Sequence, residues 1–424
     1  MSQWRETTLG KVASLVTDKV SAAQITPSNY VSTDNMLPNL GGISPAASIP
    51  EADKFNHYKE NDTLFSNIRT YFKKVWKADR SGGASADVLI FRTKDEKVLN
   101  PVFLYYLMSN QAFTEYTVLT SKGAKMPRGD KEAISRYAVY LPDILEQRTI
   151  VEILGALDDK IKLNSRMNAS LEEMARALFK SWFVDFDPVR AKAEGREPEG
   201  MDTATATLFP AVFNNDGLPE GWDKIPFSGL IEIVGGGTPK TSISEYWNGA
   251  IPWFSVVDAP ADTDIFVIDT EKKITQAGVD NSSTKVLPFG TTIISARGTV
   301  GKVALVGVPM AMNQSCYAMR GANGLPDYFT HFCVRQLVTE LKARAHGSVF
   351  DTITRETFDT VSFVKPDKKV AQAFDERILP IMQKVLNNLH ENKTLSGLRD
   401  ALLPKLISGE LRIQDAREHV KEAV

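Results

Sequence analysis

Between Leu141 and Phe186 a seam of positions recurs at alternating steps of three and four residues: Ile150, Leu154, Leu157, Ile161, Asn164, Asn168, Leu171, Ala175, Leu178 and Trp182. The stretch has no Pro after Pro142 and a single Gly. A spacing of 3.5 residues predicts a helix that packs lengthwise on another helix. Roughly forty residues at 1.5 Å each make a rod of about 60 Å, longer than an ordinary core helix needs.

The pattern occurs twice. A shift of 224 residues carries Leu141-Pro142-Asp143 onto Lys365-Pro366-Asp367. The seam then returns without a gap as Phe374, Ile378, Ile381, Val385, Asn388, Asn392, Leu395, Arg399, Leu402 and Leu406. Both asparagines return at the same two places. An amide inside an apolar seam lowers stability and serves best as a device that sets register, so Asn164, Asn168, Asn388 and Asn392 are read as inter-helix register residues. In an antiparallel pair, one register aligns every seam position: residues whose numbers sum to 556 meet. Ile150 then faces Leu406, and each amide faces an amide. Arg399 against Leu157 is the one mismatch, with a stem that can pack while its head reaches out. Pro380 is expected to bend the second helix near its start.

The segments before the two helices also echo each other. DTLFSNIRTYFKKV (62–75) matches GTTIISARGTVGKV (290–303), which sets Arg69 against Arg297. Helical stretches follow at about 101–116 and 326–345, and Gly123–Pro142 corresponds to Gly347–Pro366. Runs of strand-forming residues broken by Gly, Pro and Asn fill the rest of both segments. The expected organisation is a first globular head at 1–143, a long helix at 144–187 and a linker at 188–220. A second head at 221–366, a long helix at 367–407 and a tail at 408–424 follow. The fold class is α+β: two α/β heads, separated by two long antiparallel helices forming a coiled coil, in an internal duplication with pseudo-twofold symmetry.

Composition narrows the classes. The 424 residues are 43% hydrophobic and 24% charged, as in an ordinary globular protein of several domains. No apolar run of 18 residues occurs, and the N-terminus carries no apolar signal core, so a cytoplasmic protein with no membrane partner is expected. The two cysteines, Cys316 and Cys333, form no metal-spaced set. The five histidines have no zinc-binding spacing, and no Ser or Cys lies in a nucleophile elbow. Asn100-Pro101-Val102-Phe103 touches on a base-holding methyltransferase motif but reads better as the start of a helix. Gly235-Gly236-Gly237-Thr238-Pro239-Lys240 has the wrong spacing for a phosphate loop. The chain therefore reads as a non-enzyme with neither metal nor cofactor of its own.

A net charge of −2 leaves any anion-binding surface local. Between Arg69 and Arg80 five cations and three aromatics share twelve residues. The residues read as facing DNA are Arg69, Tyr71, Lys73, Lys74, Lys77, Lys122, Lys125, Arg128 and Lys131 in the first head. Lys240, Thr241, Arg297, Lys302, His346, Ser348 and Arg355 are their counterparts in the second. Basic loops interleaved with aromatics and Gly suit phosphate contacts and the reading of base edges. A solvated charged face is the plainer reading of each loop alone. Two diverged heads on matched spacers are what a reader of a two-part site requires.

Several motifs, in order, resemble the specificity subunit of Type I restriction–modification enzymes. GGGTPKTSISEYWNGAIPWFSVVD (235–258) and NYVSTDNMLPNLGG (29–42) resemble the opening of that family's target recognition domains. So do GTVGKV followed by MNQSCYAM, and GSVFDTITRETFDTVSFVKP. LPDILEQRTIVEILGALDDKI and LLPKLISGEL resemble its repeated spacer regions. The second spacer opens KPDKKVAQAF where the family has an LP…EQ pattern. The resemblance implies a protein that binds double-stranded DNA at a bipartite site, one half per head. It further implies two modification (methyltransferase) subunits using S-adenosylmethionine, and restriction subunits that translocate DNA using ATP and Mg. The alternative is a non-enzymatic coiled-coil scaffold with two protein-binding heads.

Overall fold

The computed structural model describes residues 4–260, 264–344 and 352–421. The chain forms two compact units, one made of Met1–Lys162 with Lys393–Val424 and the other of Leu163–Asn392. The two long helices, Ile144–Phe183 and Lys368–Ser408, each contribute a segment to both units. The second runs unbroken through Pro380.

In the first unit the start of one long helix lies antiparallel to the end of the other. Ile150, Leu154 and Leu157 share a core with Leu395, Leu402 and Leu406, and Ile161 packs against it. In the second unit Ala175, Phe179 and Trp182 share a core with Phe374, Ile378 and Val385. The Trp182 and Phe374 rings meet edge-on at 5.9 Å. Burying each such side chain contributes about 1.5–3 kcal/mol.

The amides stack as two layers. Asn164 Nδ2 donates to Asn392 Oδ1 at 3.0 Å and to Glu391 at 2.8 Å. Asn388 Nδ2 donates to Asn168 Oδ1 at 2.8 Å, and Asn168 Nδ2 donates to the Val385 carbonyl at 3.3 Å. The Arg399 head does not reach for solvent. Its Nη1 donates to Asp158 Oδ1 at 2.8 Å and its Nη2 to Asp400 at 2.9 Å, while the Tyr106 hydroxyl donates to Asp158 Oδ2 at 2.8 Å. The one mismatched seam position is therefore closed by Asp158 on the facing helix.

The first head is closed by strands Arg5–Thr8 and Ala138–Leu141, paired antiparallel. Behind them lies a sheet ordered Ala13–Leu15, Val88–Thr93, Thr63–Ser66, Val75–Lys77. Thr63–Ser66 is buried on both faces, as a central strand must be. A second sheet runs Lys19–Ser21, Lys54–Tyr58, Gly82–Ala84, Tyr30–Val31. Asn100 caps the helix Pro101–Ser109 by accepting from the Val102 and Phe103 amides at 2.8 and 3.1 Å, with Pro101 in the first turn.

The second head repeats this plan. Asp223–Pro226 pairs with Ser362–Lys365, and the main sheet runs Ile231–Gly235, Cys316–Gly321, Thr292–Ser295, Val303–Val306, with Phe266–Val267 added at its edge. A parallel pair recurs too: Tyr30–Val31 on Gly82–Ala84 in one head, Trp247–Phe254 on Ala311–Met312 in the other. The glycines at 235–237 serve packing. A Cβ on Gly236 would lie 2.0 Å from the Asn313 carbonyl oxygen, and the Gly237 carbonyl accepts from Trp253 Nε1 at 3.0 Å. The Cys316 and Cys333 thiols are free and buried.

Two stretches differ from the sequence reading. The expected linker at 188–220 carries helices Asp187–Ala193 and Thr203–Thr207. Val189 and Phe209 are core residues, with Phe209 edge-on to Trp182 at 5.1 Å. Its apolar side chains have no period, so composition hid their burial. The expected tail holds the helix Ile413–Lys421, whose Ala416 and Val420 join the first unit's core. Gly409, at φ +74°, ends the long helix beside the Trp4 ring and lets the chain fold back.

Candidate nucleic-acid interface

In both heads the same two loops come together. In the first, the loop leaving Thr63–Ser66 meets the later loop through a bridge between Ile68 and Arg128; in the second, the bridge joins Arg297 to Thr352. Ser66 N donates to the Lys74 carbonyl at 3.0 Å, as Ser295 N donates to the Lys302 carbonyl at 2.9 Å. The two loops are thus equivalent at base and bridge.

This equivalence corrects the pairing of Arg69 with Arg297. The position matching Arg297 is Ile68. Arg69 instead matches Gly298 and Lys73 matches Gly301, since all four have positive φ (49°, 77°, 52° and 81°). Three residues separate the first pair and two the second, so an ungapped alignment slips by one. Glycine takes the left-handed region freely, whereas Arg69 and Lys73 hold it at about 1–2 kcal/mol each.

Arg69, Phe72 and Lys74 line one cleft of about 590 Å³, with Ile68, Thr33, Asp34, Asp87 and Met126 among its other walls. Lys74 Nζ donates to the Thr33 carbonyl at 2.7 Å, and burial holds its pKa below the usual lysine value, with Asp34 opposing. Burial also lowers Lys73, against the pull of Asp400 and with a smaller push from Arg399. Lys73 and Tyr71 face a separate depression of about 540 Å³ beside Val118 and Leu119. Lys77 is half-buried in its strand.

On the later loop, Lys122 pairs with Asp130 at 2.6 Å, and that hydrogen bond raises its pKa. Arg128 pairs with Asp87 at 3.1 Å. Lys125 and Lys131 are exposed. In the second head Lys240, Thr241, Arg297 and Arg355 are exposed and Lys302 is half-buried. Lys240 and Thr241 follow the strand Ile231–Gly235, away in sequence from the bridged loops, and the Lys240 carbonyl accepts from Trp247 Nε1 at 3.3 Å. His346 and Ser348 lie outside the described residues.

Phe72, counted only among the aromatics of the basic run, and Met126 were not among the residues read as facing DNA, although both are exposed in the cleft. Their signal is position: each lies inside a basic loop, where a large apolar side chain has no core to join. Glu172 was also missed. It is buried on the first long helix, with Oε1 accepting from the Ile265 amide at 2.9 Å and Oε2 without a partner. Burial, and then Asp264, raise its pKa to about 8, against Arg335 and Arg176.

Among the described residues no three His, Cys, Asp or Glu side chains gather as metal ligands, and no helix is long and apolar enough to cross a membrane. The site offers cations, aromatics and backbone, the chemistry of contact with phosphates and bases.

The family described as Type I restriction modification DNA specificity domain matches residues 2–173 and 219–398. The Type I restriction enzyme HindI specificity subunit of Haemophilus influenzae is 28% identical, over 97% of this chain and 100% of its own. The MjaIX specificity subunit of Methanocaldococcus jannaschii is 24% identical, over 74% of this chain and 69% of its own. Among solved structures, the S subunit of a Type I restriction–modification system from M. genitalium covers 95% of this chain and 96% of its own at 16% identity. Its TM-score of 0.50 is a likeness of fold.

Proposed function

The chain belongs to the Type I restriction–modification DNA specificity family, and we propose that it reads a two-part site in duplex DNA, each head taking one half. Within that family it is the DNA-recognition component and not a catalytic one. The observation that carries the two-part reading is the bridged pair of loops, built the same way in both heads and tipped with different residues. Matched frames with diverged tips suit two half-sites of different sequence. The scaffold alternative leaves the clustered cations without a role.

The chemistry then belongs to partners. Two modification subunits, carrying S-adenosylmethionine, methylate adenine in the two half-sites, and restriction subunits supply ATP- and Mg-dependent translocation and cleavage. This chain brings them to the site.

The test exchanges residues 1–140 for the first head of another family member, assembles the chain with its modification subunits and maps the methylated sequence. One half-site changes while the other half and the spacer stay. A change in both halves together would refute independent reading.

A further inference from the structure

We propose that Tyr71 and Phe72 form an aromatic wedge that presses into a base step of the first half-site and unstacks it, an act with no counterpart in the second head. The inference rests on the DNA-reading assignment above and adds to it a deformation of the duplex.

The two rings stand at the tip of a three-residue turn, Thr70–Phe72, with 51% and 39% of their surfaces exposed and centroids 4.6 Å apart. Two adjacent aromatics held out into solvent have no part in the core of their own head. Across the cleft Met126 is 51% exposed. The second head has only Thr299 and Val300 at the equivalent tip.

The tip is held stiffly, at a cost the fold does not require. Phe72 N donates to the Arg69 carbonyl and Lys73 N to the Thr70 carbonyl, both at 3.0 Å. The Phe72 and Lys73 carbonyls accept from Asn39 N and Leu40 N at 2.9 and 3.1 Å. All four of Arg69, Lys73, Asn39 and Leu40 have positive φ. Beneath the tip, Asn67 Oδ1 and Thr70 Oγ1 are buried without a partner. The second head makes its counterpart, one residue shorter, with glycines at Gly298 and Gly301, where the left-handed region carries no such strain. Strain kept where it is avoidable marks a functional segment.

Charge identifies what the wedge meets. Arg69, Lys73 and Lys74 flank the rings, with Lys74 Nζ 5.9 Å from the Phe72 centroid. Carboxylates lie there too: Asp34 and Asp87 line the cleft with Asp87 paired to Arg128, Glu115 lines the depression beside Tyr71, and Asp400 acts on Lys73. Aromatic faces between cations fit a base step between phosphates, where apolar side chains part the bases and basic ones hold the backbone. A protein partner covering the rings would have no use for the adjacent cations. The first half-site should accordingly favour a flexible pyrimidine–purine step at the wedge.

The experiment uses the chain with its modification subunits and a duplex carrying the mapped methylation site. Fluorescent base analogues are placed in turn at every position except the methylated adenines. Emission rises at one step of the first half-site and nowhere in the second. Tyr71→Ala with Phe72→Ala abolishes the rise and weakens binding about tenfold, or about 1.4 kcal/mol. An abasic position at that step, already unstacked, restores binding by the double variant, and Tyr71→Phe behaves as wild type. No rise in the wild-type complex, or a rise that survives the double variant, overturns the wedge. So does a double variant that fails to join the modification subunits, which would make the tip a protein contact. If Arg69→Ala with Lys125→Ala also leaves affinity and site preference untouched, the DNA-facing assignment of these loops falls as well.

Discussion

Replacing Asn168 and Asn388 by leucine, singly and together, should give three different results. Both side chains are fully buried. Asn388 Nδ2 has Asn168 Oδ1 as its partner, while Asn388 Oδ1 has none in the native state. Asn168→Leu strands the Asn388 donor in a dry seam and leaves the acceptor still unpaired, which costs about 1–3 kcal/mol. Asn388→Leu strands Asn168 Oδ1 but also removes the unpaired acceptor. The two effects nearly cancel, and Asn168 Nδ2 keeps the Val385 carbonyl. The double variant removes every polar atom of the layer and adds apolar area, so it should be more stable than wild type by about 1–2 kcal/mol.

The assay is urea unfolding followed by tryptophan fluorescence and circular dichroism, with the cycle completed by the double variant. Trp182 lies in the same unit as both amides. A coupling of about 1 kcal/mol or more is expected. Coupling below about 0.5 kcal/mol would mean that the two amides act independently. The register proposal makes a second demand. Without this layer only the Asn164–Asn392 amides and the Arg399–Asp158 pair hold the seam in register, so the double variant, though more stable, should methylate with a less strictly defined distance between half-sites. A double variant with an unchanged, sharply defined spacing would show that other contacts set register.

Two further outcomes follow from buried charge and backbone strain. Glu172 is protonated in the folded state up to about pH 8, while the unfolded chain releases that proton near 4.5; its contribution to stability is full below pH 4.5 and is lost as pH rises to about 8. Asp375, raised to about 7 by burial, and Asp264, raised by burial, add slopes of the same sign, so Glu172→Gln should flatten part of the decline in thermal stability from pH 5 to 8, and an unchanged pH profile would refute its burial as an acid. Arg69→Gly should relieve about 1 kcal/mol of left-handed strain that Arg69→Ala retains, whereas both weaken DNA binding by about 1–3 kcal/mol if the guanidinium reads a base; wild-type affinity and site preference in both variants would remove Arg69 from the interface.

The helix pair was legible because its signal is periodic and repeated. A seam of apolar residues can be found by spacing alone, and Asn164, Asn168, Asn388 and Asn392 fix where the copies align, here at Ile150, Leu154 and their partners. The loops were legible only as composition. Counting cations found Arg69, Lys74 and Arg128, but not that Arg128 is neutralised by Asp87 or that Lys122 is held by Asp130. Nor could an ungapped match reveal the extra residue between Arg69 and Lys73. That residue shows in the backbone, where two glycines of one head stand opposite two cations of the other. Ion pairs and insertions depend on which loops meet, and no local pattern encodes the meeting of residues 68 and 128.

Each unit closes its core with helix segments far apart in the chain, and this constrains how heads can be exchanged. The first head's Tyr106 donates to Asp158 on one long helix, and Asp158 holds Arg399 on the other. Exchanging residues 1–140 replaces Tyr106 but keeps Asp158 and Arg399. A donor head lacking a hydroxyl at that place leaves one carboxylate oxygen half-buried without its donor, at about 1–3 kcal/mol. Leu104 and Phe103 likewise share a core with Leu402 and Leu406. Heads can therefore diverge freely at their tips, where Tyr71 and Val300 differ, but not at the base that meets the helices. On the proposed reading, variation in the sequence read and constancy of the frame have a single physical source: the tips answer to DNA, and the bases answer to the other end of the same chain.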